Sequence, residues 1–355
     1  SKPNQSYGKL MIYAYPTEGV WGLGCLPDSE ECVKKICFLK QRGLDKGLIL
    51  VSGDFSHFEP YLSHLSEDLI EKARSKWPGP HTWLVPANET VGWKGAEPKC
   101  NAPNLVDGAV MTVKDSCATI FSSPDGSRMR QLVYGSRFRV LEEKNSFSFG
   151  FSELDGYVGY IRSSSLLGED ENCTHWVSAL GSHIYSKPDI KDSYFRSLSF
   201  GSRLAIESIT DDFYEIVDGG YVPKAHLKKL GKFYSDPTNV AKKFLGVPYL
   251  WGGNSCWGID CSGLVQAALV SCSINCPGDS DQQEKVFSPV KDRSSFTKND
   301  LMFWKGHVAI IINSSSLIHA NANSMSVAIE PILKVIERIK SNTGSDFSLC
   351  RWSKS

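Results

Sequence analysis

The chain has 355 residues, 41% of them apolar, 11% aromatic and 22% charged, the make-up of a folded globular protein rather than a disordered or fibrous one. Lys plus Arg and Asp plus Glu both number 39, so no net field marks the whole chain for nucleic acid or a membrane surface, and only local patches stay open. The longest apolar runs, such as Val308 to Ile312, fall far short of the roughly 20 residues a membrane helix requires.

At about 100–200 residues per domain the length predicts two to four domains. The opening Ser1-Lys2-Pro3-Asn4-Gln5-Ser6 carries no apolar export segment, which sets cytoplasmic residence as the expectation. Eleven cysteines include no Cys-x-x-Cys pair, and an odd count leaves at least one thiol without an internal partner. Neither a disulfide scaffold nor a four-cysteine zinc site is expected, and no metal is assigned.

The first hundred residues read as an α/β beginning. Met11-Ile12-Tyr13-Ala14-Tyr15 has the pattern of a buried strand, Ser29 to Leu39 that of a helix capped at Asp28 or Ser29, and Gly47 to Val51 that of a second strand. An internal repeat follows. Leu132-Val133-Tyr134-Gly135-Ser136-Arg137-Phe138 aligns with Leu198-Ser199-Phe200-Gly201-Ser202-Arg203-Leu204, and Gly156-Tyr157-Val158 with Gly220-Tyr221-Val222. Each copy is a series of short alternating runs broken by Gly, Pro, Ser and Asp, which predicts an all-β barrel or sandwich of about 60 residues. A linker from Lys232 leads to a helix capped near Asp236 or Pro237. A glycine-rich aromatic stretch then runs into an apolar helix from Cys261 to about Val270, and two late strands, Val308 to Ile312 and Ser316 to Ala320, meet at Asn313-Ser314-Ser315. The last 120 residues are therefore read as α+β.

Chemistry concentrates at that glycine-rich junction. In Tyr249-Leu250-Trp251-Gly252-Gly253-Asn254-Ser255-Cys256-Trp257-Gly258-Ile259-Asp260-Cys261-Ser262-Gly263 a cysteine stands where a helix begins. Unpaired helix amides and the positive dipole end favour thiolate, lowering the pKa from about 8.5. The same amides could hold an oxyanion, worth roughly 3–4 kcal/mol. A thiolate nucleophile needs an imidazole to take and return its proton. His307 precedes the first late strand and His319 lies within the second. A three-residue loop puts both on one sheet face, one diagonal step apart, whereas an even-length loop separates them. Taken singly, Cys261 reads more readily as a small core residue and the histidines as structural or solvent-facing side chains; the reading as a catalytic set rests on their joint occurrence after the glycine-rich approach.

Residues 236–355 closely resemble the NlpC/P60 cysteine peptidases of cell-wall peptide metabolism, through Tyr249 to Leu269 with Asp260-Cys261-Ser262-Gly263, Gly306-His307-Val308-Ala309 and His319-Ala320. The repeated Gly-Tyr-Val ending resembles bacterial SH3-like (SH3b) domains, and two such units before the peptidase resemble the γ-D-glutamyl-L-diamino acid endopeptidases. The resemblance implies a papain-like catalytic domain with Cys261 as nucleophile, His307 as general base and acid, and His319 orienting that imidazole. It also implies substrate-side roles for Tyr249, Asp260 and Ser262. Pro277-Gly278-Asp279-Ser280 is similar to the family's Arg-Asp-Ser stretch, which carries recognition of a free substrate amine to Asp279 and Ser280; Gly278 stands where the family has Arg. From the residues alone, Asp279 and Ser280 read as well as a solvated helix cap. The partner implied is a murein tripeptide or tetrapeptide with a free N-terminal L-Ala, with no cofactor, nucleic acid or membrane for the peptidase.

The start of the chain resembles a different family. Ala14 to Cys25, Leu39-Lys40-Gln41-Arg42 with Lys46-Gly47-Leu48-Ile49-Leu50, and Trp77-Pro78-Gly79-Pro80-His81-Thr82 are similar to the YrdC/Sua5 enzymes, which make threonylcarbamoyl-AMP from threonine, bicarbonate and ATP. The resemblance implies Thr17 at the threonine pocket and Lys40, Arg42 and Lys46 at the nucleotide phosphates. Those three cations read otherwise as a solvated charged stretch. The family's later Ser-Thr-Ser-Ala-Asn segment has no counterpart before the β repeats.

The expected architecture is thus multidomain α+β: a partial YrdC-like α/β segment over 1–104, two SH3-like β-barrels over 105–169 and 170–232, and the catalytic domain over 236–355. A peptidase, a nucleotide-dependent synthase and a non-catalytic wall-binding module with an inert Cys261 are the three functional classes compatible with this reading.

Overall fold

A computed structural model of the chain describes residues 13–16, 21–24, 30–39, 50, 52, 54–62, 65–75, 108–124, 126–168 and 173–352. The chain divides into two compact units, Ser1–Val106 and Asp107–Ser355.

In the first unit β1 (Tyr13–Pro16) pairs antiparallel with β2 (Trp21–Gly24), in the register Tyr13↔Gly24. Helix α1 (Glu30–Leu39) falls where the apolar spacing put it and buries Cys32, Ile36 and Cys37 along one stripe. Two further helices follow, α2 (Glu59–Leu62) and α3 (Glu67–Ser75). The last has Glu67 and Asp68 in its first turn and Lys72 and Arg74 in its last, the polarity that complements a helix dipole. Of the strand expected at 47–51, Leu50 is described and has no strand geometry. Thr17, Lys40, Arg42 and Lys46 lie outside the described residues.

The sequence repeat is a structural repeat. Its first copy contains β3 (Ala109–Val113), β4 (Cys117–Phe121), β5 (Arg128–Val133), β6 (Arg137–Lys144), β7 (Phe147–Ser152), β8 (Val158–Arg162) and β9 (Leu166–Leu167). They form one antiparallel sheet in the order β5-β4-β8-β7-β6-β3-β9. The second copy contains β10 (His175–Val177), β11 (Gly181–Tyr185), β12 (Tyr194–Ser199), β13 (Arg203–Leu204), β14 (Ile206–Ile209), β15 (Phe213–Ile216), β16 (Tyr221–Pro223) and β17 (Leu227–Lys229). Here the order is β12-β11-β16-β15-β14 with β13-β10-β17, the same path with the long fourth strand broken in two. Each copy has a core, Val113, Ile120, Phe138 and Ile161 in the first and Val177, Ile184, Leu198 and Val222 in the second, where Tyr134 of the first copy joins them.

The C-terminal part begins with α4 (Pro237–Lys243), where the Asp236 side chain caps the Thr238 amide and Pro237 opens the first turn. A short hairpin, β18 (Asn254–Ser255) and β19 (Gly258–Ile259), delivers the chain to α5 (Cys261–Val270). Then come α6 (Ser280–Val286), β20 (Ser288–Pro289), β21 (Leu301–Trp304), β22 (His307–Ile311), β23 (Ser316–Asn321), β24 (Ser326–Pro331), α7 (Ile332–Thr343) and β25 (Ser348–Arg351). The six strands form one antiparallel sheet, β20-β25-β21-β22-β23-β24. Alternation splits its side chains cleanly. Val308, Ile310, Ile318 and Ala320 pack with Leu264, Val265 and Ala268 of α5, while Ala309, Ile311 and Leu317 pack with Ile332 and Val335 of α7. Leu264, Val265 and Leu269 are fully buried, each contributing roughly 1.5–3 kcal/mol, so α5 is pinned and its first residue with it. Among the described residues no helix is long and apolar enough to cross a membrane.

Candidate active site

Cys261 is the first residue of α5 and is 7% exposed. The preceding Asp260 caps the helix: Oδ1 accepts from the Gly263 amide at 2.7 Å and the Ser262 hydroxyl at 3.1 Å, and Oδ2 accepts from the Gly252 amide at 2.9 Å. Asp260 and Ser262 thus hold the turn that presents the thiol. Burial raises the Asp260 pKa against the opposing pull of Arg130.

The amides do act on the sulfur as a helix start requires, and those of Val308 and Ser262 lower its pKa. They are outweighed. Burial first, and the Asp260 carboxylate second, push the Cys261 thiol up to about 12. The expectation of a resting thiolate is therefore corrected: at neutral pH the site holds a thiol, because desolvation of the anion exceeds the dipole effect. The Tyr249 phenol lies beside it, pushed up to about 12 by burial and by Cys261 and Asp260, so it remains a hydrogen-bond donor.

The two late strands meet in the register Ile310↔Ile318 and Ile311↔Leu317, with Ile312 N–H donating to the Ser316 carbonyl across the expected three-residue loop. His307 and His319 accordingly share a face, and His307 Nε2 lies 2.8 Å from His319 Nδ1. Pairing between β22 and β23 stops short of Val308, and the Val308 N–H is directed at the Cys261 sulfur instead. The sulfur thus lies against the His307–Val308 peptide. The Trp304 ring covers His307 at 5.7 Å. Burial, with His319 second, holds His307 down to about 3, so the resting base is neutral.

Behind His319 stands a pair the sequence reading missed. His319 Nε2 is 2.7 Å from Glu330 Oε2, and Arg338 grips both Glu330 oxygens at 2.6 and 2.8 Å.

Asp279 occupies the N-cap position of α6 but makes no side-chain cap bond. The Tyr157 hydroxyl of the first β copy donates to it instead. Burial raises the Asp279 pKa, with Arg130 the main opposing group. Ser280 opens α6. Gly278, where the resembled family has Arg, is filled from outside. Arg130 of β5 donates from Nη1 to the Gly278 carbonyl at 3.0 Å and from Nη2 to Gln266 Oε1, with Nε 3.6 Å from Asp155. A Cβ on Gly278 would fall 2.8 Å from Tyr157 and 3.2 Å from both the Arg130 guanidinium and Asp155. Further along β5, Gln131 accepts from the Asn254 amide at 3.2 Å and Arg128 donates to the Trp251 carbonyl at 2.9 Å. Gly252, at φ +68°, lets the Met129 carbonyl approach to 2.7 Å from where a Cβ would be. Arg130, Asp155 and Tyr157 are thus further site residues that sequence reasoning passed over. The departure at Gly278 and the Gly-Tyr-Val motif were the available signals.

The NlpC/P60 family matches residues 246–339, a bacterial dipeptidyl-peptidase SH3 domain matches residues 120–166, and the Sua5/YciO/YrdC family, described as telomere recombination, matches residues 8–120. A threonylcarbamoyl-AMP synthase from Pseudoalteromonas atlantica is 41% identical over 157 residues, 43% of this chain and 83% of that protein. The chain belongs to the YrdC/Sua5 family at its N-terminal end, and its C-terminal end matches the NlpC/P60 family over residues 246–339. NlpC/P60 members are cysteine peptidases or hydrolases, and the stretch that matches them contains Cys261, His307 and His319. An NlpC/P60 family protein from Bacillus cereus, 21% identical, shares the fold with a TM-score of 0.58 over 69% of this chain and 99% of that one. For the YrdC/Sua5 end, the threonylcarbamoyl-AMP synthase of Vibrio vulnificus is 48% identical over 79 residues, 22% of this chain, and the chain spans 42% of that relative's length.

Proposed function

We propose that the NlpC/P60 part hydrolyses the bond between γ-D-glutamate and the diamino acid in short murein peptides that carry a free N-terminal L-Ala. The observation that carries this reading is the Tyr157–Asp279 pair seated beside the Cys261 turn. A carboxylate that does not cap its own helix, walled by the first β copy, suits a substrate ammonium at a closed end. Polymeric wall, in which that amine is acylated, offers no ammonium to this carboxylate. In the reaction Cys261 passes its proton to His307 as sulfur attacks the γ-carbonyl. The Tyr249 hydroxyl and the amides at the start of α5 stabilise the tetrahedral oxyanion. The protonated His307 then gives its proton to the departing amine, and water, deprotonated by the same imidazole, hydrolyses the thioester. Starting from neutral thiol and neutral imidazole, charge separates only as the sulfur attacks the carbonyl and the oxyanion forms. Short peptides of this kind arise from wall turnover, which fits a recycling role in the cytoplasm.

Cys261→Ala should abolish release of the diamino acid from L-Ala-γ-D-Glu-diaminopimelate, with a fall of at least about 1,000-fold as measured by chromatography of the products. Undiminished turnover would remove the proposal.

A second reading concerns the other end. Identity of 41% to a threonylcarbamoyl-AMP synthase over 83% of its length supports ATP-, bicarbonate- and threonine-dependent adenylate formation. Thr17 would then serve threonine, and Lys40, Arg42 and Lys46 the phosphates. Pyrophosphate release dependent on all three substrates is the measurement; none above background removes it.

A further inference from the structure

The imidazole pair continues into a third and a fourth side chain. Register places the first three members in line. Leu317 pairs with Glu330 and His319 with Ala328 on the β24 side, while Ile310↔Ile318 and Ile311↔Leu317 on the other side put His319 level with Ala309. His307, His319 and Glu330 therefore stand on one sheet face, each displaced by one diagonal step from the last. The distances, 2.8 Å between the imidazoles, 2.7 Å to the carboxylate and 2.6 and 2.8 Å to the guanidinium, allow one hydrogen bond at each link.

Proton positions follow by elimination. Arg338 has donors only, so both Glu330 oxygens accept. Its two bonds to Glu330, the largest influence, hold that carboxyl down to about 2, so it stays ionised wherever the protein functions. His319 Nε2 must then carry a hydrogen. In a neutral ring Nδ1 is left as an acceptor, so the hydrogen between the rings belongs to His307 Nε2 and His307 Nδ1 keeps its lone pair.

We propose that Glu330, clamped by Arg338, fixes the tautomers of both histidines and so makes His307 Nδ1 the atom that receives the Cys261 proton; Glu330 and Arg338 are positioning residues for the thiol chemistry. This inference rests on the peptidase reading for its kinetic consequence but not for its proton assignment. The two charges act in opposite senses on the base. Glu330 favours the imidazolium and Arg338 disfavours it at both rings. From the other packed elements the uncharged Trp304 on β21 faces His307, and Asn321 on β23 adds a contact of 3.5 Å to Glu330. Glu330 and Arg338 are thus the two fixed charges recorded at the pair among the described residues.

The test has a part that needs no substrate. Histidine-selective 15N NMR of the intact wild-type chain should show His307 and His319 both with Nε2 protonated and Nδ1 bare. A hydrogen on His307 Nδ1 overturns the proposal. In kinetics, Glu330→Gln should lower kcat on the order of 10–100-fold with KM held within about twofold, and the 15N-detected titration of His307 should move to lower pH. Arg338→Gln should move that titration to higher pH. Shifts of the same sign, or none in either variant, overturn the proposal. Wild-type protein that shows these tautomers yet cleaves no γ-glutamyl peptide would sink the peptidase reading and leave the proton assignment standing.

Discussion

Arg130 and Arg196 hold the same place in successive copies of the repeat, two residues before Leu132 and Leu198, yet they grip different neighbours. Arg130 enters the peptidase part and donates to Gly278 and Gln266. Arg196 turns back onto the first copy, donating to the Lys114 carbonyl and lying 5.2 Å over the Tyr134 ring. The tyrosines of the Gly-Tyr-Val motif divide in the same way. Tyr157 donates to Asp279, whereas Tyr221 spends its hydroxyl on Glu215 of its own copy at 3.0 Å. The second copy meets the peptidase part mainly through neutral contacts, among them the Ser199 hydroxyl on the Cys256 amide at 2.8 Å and the Trp176–Phe200–Phe244 ring series. One folded motif thus serves as a wall of the site in one copy and as a brace in the other. What lies opposite, not the motif, assigns the role.

If that division is right, substitutions in the first copy change both activity and stability, while those in the second change stability alone. Arg130→Met should have the largest effect. Arg130 and Asp155 are 2% and 3% exposed, and removing one partner of a buried pair costs about 3–5 kcal/mol, readable as a lowered midpoint in urea. It should also move the acid limb of kcat/KM. In the proposed role Asp279 must be ionised to hold an ammonium, and Arg130 is the main group holding its pKa down, so without Arg130 binding is expected to fail at higher pH than in wild type. An unmoved limb would reduce Arg130 to a structural tie. Tyr157→Phe is milder: KM for the free-amine peptide should rise on the order of 10-fold with kcat nearly unchanged, and a loss in kcat alone would contradict the role given to the phenol. Ser199→Ala, in the second copy, should cost only about 0.5–1.5 kcal/mol in denaturant melts and leave kcat/KM within twofold; a larger kinetic loss would break the comparison.

Local features were legible in the sequence because they depend on local physics. The apolar run from Cys261 gave α5, Asp236-Pro237 gave α4 and its cap, and a three-residue Asn313-Ser314-Ser315 loop was the condition for the shared face that His307 and His319 have. The internal repeat was readable because its punctuation by Gly and Tyr recurs in order. Contacts across 136 and 148 positions, such as Arg130 with Gln266 and Gly278, have no periodicity to betray them. Glu330 and Arg338 escaped for a related reason: eight residues apart, they belong to a strand and the following helix, so no single-element spacing links them. The thiol's pKa was misjudged because a dipole can be read from a helix start, but the desolvation of its first side chain depends on the whole core around it.

The line of His307, His319 and Glu330 over three neighbouring strands has a consequence for how this chain matures. Were β23 threaded one position out of step, the middle imidazole would turn to the opposite side and the line would be cut. A polypeptide caught in that arrangement could stay compact and remain inert, so the last strand alignment to settle is also the moment at which the protein becomes competent.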